Sequence, residues 1–213
     1  MLLTPKPWLK PLAHAALALP LVWLLVHWGL ILAGDTRALG ANPIEATTRF
    51  LGDTAIRALL AALAVRPAAR LLHAPWLMRA RRLVGLWAFA YVCLHLTSYL
   101  GMDLLFDWAA LWRDILKRNY ITLGMTAFAL LVPLALTSTN AMIKRLGARN
   151  WQRLHRLVYA AGVLAVLHHW FMVKGVQAAP IVHGLVLAAL LAWRLHAARQ
   201  SFVRIRKYFS LSA

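Results

Sequence analysis

The hydrophobic positions of this 213-residue chain fall into long unbroken runs. They show neither the alternation of half-buried strands nor the single stripe of a soluble amphipathic helix. Charge-free stretches cover 11–34, 83–102, 119–143, 157–173 and 175–193, each 17 to 25 residues long. A helix needs about 20 apolar residues to cross a bilayer, so each stretch predicts a spanning helix. A charge at the bilayer centre costs roughly 2.5–3.5 kcal/mol on insertion scales, which is why an unbroken run is informative. A sixth segment is weaker, because only 58–65 is charge-free there. Asn42-Pro43 nevertheless reads as a helix cap followed by proline in the first turn. A helix over 43–65 carries Arg49, Asp53 and Arg57 in its first half, and these must snorkel to the interface or face protein. The expected fold class is all-α, a polytopic membrane bundle of about six helices. Five spans plus one amphipathic helix is the alternative.

Composition supports this reading. Hydrophobic residues make up 62% of the chain and charged ones 14%, against roughly 45–50% and about 25% in soluble domains. A disordered chain is excluded, and so much apolar surface argues against a soluble enzyme. The formal charge of +18 has a competing meaning, nucleic-acid binding. The basic residues lie between apolar runs and not on one polar domain, so no nucleic-acid partner is expected and the lipid bilayer is. The single cysteine, Cys93, excludes an intrachain disulfide and a thiolate zinc or iron–sulfur site of the usual ligand count. It reads as a small buried residue.

Charge also predicts orientation. With six spans and a cytoplasmic N-terminus, 17 of the 24 Lys+Arg fall on the cytoplasmic side. These are Lys6 and Lys10, then five each within 66–82, within 144–156 and beyond 193. All six acids, Asp35, Glu45, Asp53, Asp103, Asp107 and Asp114, fall on the far side. The positive-inside rule then puts both termini in the cytoplasm. The first run is too long for the core of a signal peptide, and no A-x-A site follows it before Asp35. The ten Trp, among them Trp8, Trp28, Trp76, Trp108, Trp112 and Trp151, mostly fall near span ends, as an interfacial belt does. No G-x-G-x-x-G or P-loop is present.

Candidate chemistry lies in the nine histidines. His14, His73, His183 and His196 fall at span ends or in loops and read as interfacial side chains, while His27 lies deeper. His95 in the third span, and His155, His168 and His169 around the fifth, are costly inside a bilayer unless partnered. His95 and His168 reach similar depths on helices running the same way. Two facing imidazoles there form a bis-histidine site for haem b. A bond to a backbone carbonyl of a neighbouring helix is the structural alternative. His155 lies near the cytoplasmic face, about 20 Å from His168 along a helix. Two haems at those depths, or one haem above a flavin or quinone, would cross the membrane. On a straight helix His155 and His168 point roughly 140° apart, whereas His169 lies only about 40° from the face of His155. Geometry alone thus prefers His169, unless Gly162 allows a bulge or kink. Arg79, Arg81 and Arg82 are candidates to pair with haem propionates or dock a cytoplasmic donor, with a plain basic loop as the alternative. Asp103, Asp107 and Asp114 form an acidic outer loop that suits a basic partner surface, or plain solvation.

Seven motifs carry a resemblance. They are G-A-N-P at 40–43, F-L-G-D-T-A at 50–55, R-R-L-V-G-L-W at 81–87, L-H-L-T-S-Y at 94–99, Y-I-T-L-G at 120–124, L-T-S-T-N-A-M at 136–142, and R-L-G-A-R-N-W-Q-R-L-H-R-L-V-Y at 145–159. Together they make the chain resemble, over nearly its whole length, the MsrQ family of haem-containing membrane subunits. That family belongs to the ferric reductase and NADPH oxidase membrane superfamily. The resemblance implies a single ferric reductase-like transmembrane domain over 1–213, in the bacterial inner membrane. It implies haem b, one or two, and FMN as a further cofactor. Its histidines match His95, His155 and His168, and the family spacing of the last two favours His168 over His169. The superfamily has a fourth histidine near the position held here by Arg81, so His155 lacks that partner. The implied function is transfer of electrons, from the quinone pool or a cytosolic flavin reductase, to the periplasmic molybdenum reductase MsrP. Sulfoxide reduction in oxidised periplasmic proteins would occur on that partner. A ferric reductase or oxidase core with another acceptor is the alternative, and a non-redox scaffold or transporter is a third reading.

Overall fold

The computed structural model describes residues 9–210, with side chains over 10–200. Lys6 and Trp8 lie outside the described residues, as do the side chains of Arg204, Arg206 and Lys207. Every regular element described is helical. The order is α1 (Leu9–Leu32), α2 (Pro43–Leu71), a 3-10 turn (Pro75–Arg79), α3 (Ala80–Ser98) with a π-helical turn (Tyr99–Asp103), α4 (Trp108–Lys117), α5 (Asn119–Leu136), α6 (Asn140–Leu146), α7 (Ala148–Leu154), α8 (Leu157–Met172) and α9 (Ala178–Ser210).

Six of these helices are long, and each coincides with an expected span. Among the described residues, four stretches are long and apolar enough to cross a membrane: Lys10–Leu32, Pro75–Asp103, Asn119–Leu136 and Ala178–Gln200. Of the other two long helices, α2 is largely buried, and α8 is apolar but only 16 residues long. Here α2 packs on α3, and α8 on α5. Ala58 and Leu59 of α2 meet Ala88, Leu131, Leu134 and Ala161 in one core cluster. Ile56, Leu60 and Leu63 of α2 meet Leu187 of α9 in another. The outward faces are apolar too: Leu19 and Leu25 of α1 and Leu185 of α9 are 63%, 61% and 67% exposed. Apolar side chains both inside and outside are what a bundle in lipid requires. The chain is a helical membrane bundle.

The charges in the first half of α2 are accommodated by pairing. Arg49 bonds Glu45 at 2.6 Å, and Arg57 lies 3.5 Å from Asp53. The cap at Asn42 forms as the sequence requires. Its Oδ1 accepts from the Glu45 N–H and its Nδ2 donates to the Glu45 carboxylate, both at 3.2 Å, ahead of Pro43 in the first turn. Asn42→Ala is expected to cost about 1 kcal/mol, read as a lower unfolding temperature in detergent. An unchanged transition would mean that the cap contributes nothing.

Three boundaries differ from expectation, the first being α2, which runs past Pro67 to Leu71. The span expected over 119–143 ends at Leu136. Its charge-free tail is rich in hydroxyls, which bond backbone instead of lipid. Thr137 and Ser138 donate back to the carbonyls of Pro133 and Leu134, and Thr139 caps α6 by accepting from the Met142 N–H. The last helix runs beyond 193 to Ser210 because Arg194 and the residues after it are good helix formers. The acidic outer loop is largely α4. Asp107 caps it by accepting from the Ala110 N–H, and Asp114 accepts from the Tyr99 hydroxyl and pairs with Arg118. Trp108 and Trp112 stay exposed on this helix, in keeping with an interfacial belt. Trp28 and Trp151 depart from that belt: their indole N–H groups donate to Thr47 and to the Thr137 carbonyl inside the bundle.

Candidate functional site

Two helices carry one device, used twice. His95 on α3 turns toward α2, and its Nδ1 donates to the Thr48 carbonyl at 2.8 Å. His168 on α8 turns toward α5, and its Nδ1 donates to the Tyr120 carbonyl at 2.6 Å. One turn after each carbonyl stands a glycine. A Cβ on Gly52 would lie 3.1 Å from the His95 ring, and one on Gly124 would lie 2.8 Å from Nδ1 of His168. A larger residue at 124 would push the His168 ring off its carbonyl, and one at 52 would force a smaller shift of His95. Ser98 braces this corner, donating to the His95 carbonyl and bonding the Thr48 hydroxyl at 3.0 Å.

The tautomer follows from these bonds. A carbonyl only accepts, so each Nδ1 carries the proton and each Nε2 keeps its lone pair. Neither Nε2 has a hydrogen-bond partner among the described residues, and neither is sealed from its surroundings. The ring centres lie 6.2 Å apart with planes at 75°. A metal–imidazole bond is about 2.0 Å and the ring centre lies roughly 1.2 Å beyond the ligating nitrogen, so opposed ligands on one metal put ring centres about 6.4 Å apart. Ligating histidines usually donate their other N–H to a carbonyl or carboxylate. The pair therefore fits an axially ligated haem in distance, tautomer and second partner. The carbonyl bonds foreseen as the structural alternative are present, and they leave the ligating nitrogens free.

His169 serves a different cluster. Its Nε2 lies 3.4 Å from Asp53, and its Nδ1 is 3.2 Å from Nδ1 of His183. His183 is buried, contrary to the interfacial expectation, because α9 already begins at Ala178 and turns it onto α8. The straight-helix preference for His169 fails because the chain from 155 to 168 is not one helix. The α7 helix ends at Leu154 and α8 starts at Leu157, with three-residue turns closed by the Arg156 and Tyr159 N–H groups. Gly162 is not the break: it is buried within α8, near Leu63 and Leu187.

His155 stands apart at the end of α7. It bonds the Thr137 hydroxyl through Nε2 at 3.1 Å and stacks on Trp151 with ring centres 3.7 Å apart. Burial and the nearby Arg81 guanidinium hold its imidazole below its ordinary range, so it is neutral at pH 7. No second imidazole is in ring contact with it among the described residues. Arg82 donates to the Asn140 side chain at 2.7 Å, tying α3 to α6, while Arg81 lines a cleft with Arg66 and Arg194. Among the remaining histidines, His14 bonds the Trp87 indole, His27 the Trp23 carbonyl and His196 Gln200.

Sequence reasoning missed Gly52, Gly124, the two carbonyls and the Asp53–His169–His183 cluster. The glycines had a signal. A glycine inside an apolar helix costs about 1 kcal/mol against alanine, which points to a close approach.

Comparison with known proteins agrees with this frame. The family described as "Ferric reductase like transmembrane component" matches residues 51–166, a stretch holding both His95 and His155. The chain is 52% identical over 182 residues to the protein-methionine-sulfoxide reductase heme-binding subunit MsrQ of Caulobacter vibrioides, covering 85% of this chain and 84% of that one. It is 54% identical over 180 residues to the subunit of the same name in Rhodospirillum rubrum, covering 84% of each. For that of Klebsiella pneumoniae the figures are 46% over 200 residues, 93% of this chain and 96% of the relative. On these grounds the chain belongs to the MsrQ family, within the ferric reductase-like transmembrane proteins.

Proposed function

We propose that this protein is the haem-binding, electron-transferring membrane subunit of a protein-methionine-sulfoxide reductase system. It sits in the bacterial inner membrane with both termini cytoplasmic. It receives electrons from the quinone pool or a cytosolic flavin reductase and delivers them to a periplasmic molybdenum reductase of the MsrP type. The observation that carries this reading is the His95–His168 pair, with both Nδ1 atoms bonded to carbonyls and ring centres 6.2 Å apart. Bound haem b supplies one-electron iron chemistry. The protein's part is to hold and tune that group. His95 and His168 would hold its iron through Nε2, oriented by the carbonyls of Thr48 and Tyr120. His155 is a further ligand nearer the cytoplasm, and Arg81 and Arg82 offer guanidinium groups to carboxylates there.

Purified from membranes, the protein is expected to be red, with the reduced spectrum of low-spin b-type haem. Flavin assayed in the same preparation decides whether FMN accompanies it. In vesicles, the reduced protein is expected to be reoxidised only when an MsrP-type reductase and methionine sulfoxide are both added. The family match to ferric reductases favours a second reading, in which Fe(III) or oxygen is the acceptor. Rapid reoxidation by Fe(III) without the reductase would select it. A colourless, iron-free preparation after expression with ample haem would remove both.

His155→Ala separates the two histidine positions. The variant is expected to keep the low-spin bis-imidazole signal in electron paramagnetic resonance, because the His95–His168 pair is untouched. Haem stoichiometry by pyridine haemochrome then reports whether His155 holds a second haem. Loss of the low-spin signal would mean that His155 is an axial ligand of the only haem.

A further inference from the structure

We propose that Arg66 and Arg194, in a cleft that Arg81 also lines, bind the phosphate of an anionic phospholipid. The cleft lies where the C-terminal part of α2, the first turns of α3 and α8, and the middle of α9 come together. All three arginines are half-buried. None has a hydrogen bond or ion pair among the described residues. The carboxylates that pair do so elsewhere: Glu45 with Arg49, Asp53 with Arg57, Asp107 with Arg113 and Asp114 with Arg118. Arg66 feels the repulsion of Arg194 and Arg70, so the cluster is a concentration of one sign of charge.

An aromatic ring orients one of these groups, Arg194, without using its N–H donors, and another holds the neighbouring Arg70 in the same way. The Arg194 guanidinium lies 4.7 Å over the Tyr159 ring, and that of Arg70 lies 5.4 Å over Trp193. Such contacts hold the cation by its flat face and leave the edge free. Arg66 from α2 and Arg194 from α9 line one cleft, and guanidinium donors match phosphate oxygens.

The other walls of the cleft are hydrocarbon, from Leu63, Leu190 and Leu191. A charged corner joined to an apolar wall fits a molecule with an anionic head and acyl chains better than a free ion. The level is right as well. Arg194 is the first charge after the apolar run 175–193, and Arg81 stands just before 83–102. Basic pockets between spanning helices at the cytoplasmic surface are where acidic lipid headgroups bind.

The test measures retained lipid. The full chain, purified from membranes, is placed in phosphatidylcholine nanodiscs containing a minority of phosphatidylglycerol, and bound lipid is counted by native mass spectrometry. Wild type is expected to retain phosphatidylglycerol selectively. The double variant Arg66→Gln/Arg194→Gln is expected to lower that retention about thirtyfold, as removal of two basic contacts at a membrane surface implies. Arg66→Lys/Arg194→Lys, which keeps the charge, is expected to stay within about threefold of wild type. Circular dichroism checks that the glutamine variant is folded. If it is not, each single glutamine variant is read instead, with about a fivefold loss expected. Equal retention in glutamine variants and wild type would overturn the proposal. So would complete displacement of the lipid by millimolar inorganic phosphate, which would make the ligand a soluble anion. Loss of haem absorption together with lipid would overturn it too, by assigning the arginines to haem carboxylates.

Discussion

His168→Ala is expected to abolish the low-spin bis-imidazole signal of the His95–His168 pair, leaving high-spin haem or none at that site. The neighbouring histidine does not take the position. His169 is the neighbour in sequence, but one residue along a helix turns it about 100° away. It is also engaged, between Asp53 at 3.4 Å and His183 at 3.2 Å. His169→Ala is therefore expected to keep the low-spin spectrum, and the contrast between two adjacent substitutions makes the test sharp. His95→Ala should behave as His168→Ala does, since each ring supplies one free Nε2. The optical spectrum of membranes from the three variants is sufficient. A normal spectrum in His168→Ala, or its loss in His169→Ala alone, would overturn the ligand assignment.

The second large effect is expected from a residue with no chemistry of its own. Gly124→Ala brings a methyl group to 2.8 Å from Nδ1 of His168, closer than a carbon and a ring nitrogen can stand. The ring is pinned between the Tyr120 carbonyl and its own helix, so relief costs the hydrogen bond. Disturbing such a supporting bond typically lowers metal affinity 10–100-fold, by order of magnitude. In a plain helix the same substitution would stabilise by about 1 kcal/mol. The variant is thus expected to lose haem, by titration or by transfer to apomyoglobin, without losing helix content. Gly52→Ala should be milder, because the corresponding contact is 3.1 Å and the His95 ring need shift only slightly. Equal effects at the two glycines, or none at Gly124, would show that the close approach does not govern the site.

The bundle was largely legible in the chain because lipid imposes one simple demand, a run of apolar residues long enough to cross it. That demand located α1, α3, α8 and the start of α9 within a few residues. It failed at 137–143, where charge-free did not mean apolar: the hydroxyls of Thr137, Ser138 and Thr139 satisfy backbone groups and end the helix. Asn42-Pro43 was readable because capping is local chemistry. The histidines stood out for the cost of burying them. Which of His168 and His169 faces His95 was not readable from angles, since the turn count assumes a continuous helix and the chain breaks at 155–156. The two glycines and the burial of His183 depend on which helix lies alongside, a property of packing that no local pattern carries.

The break between α7 and α8 separates two imidazoles mechanically although only a dozen residues part them in sequence. His168 rides on a rigid rod wedged against α5. His155 is anchored to the hairpin of α6 and α7 through Trp151 and Thr137. A force applied to that hairpin therefore reaches His155 directly, and reaches His168 only through the joint at 155–156.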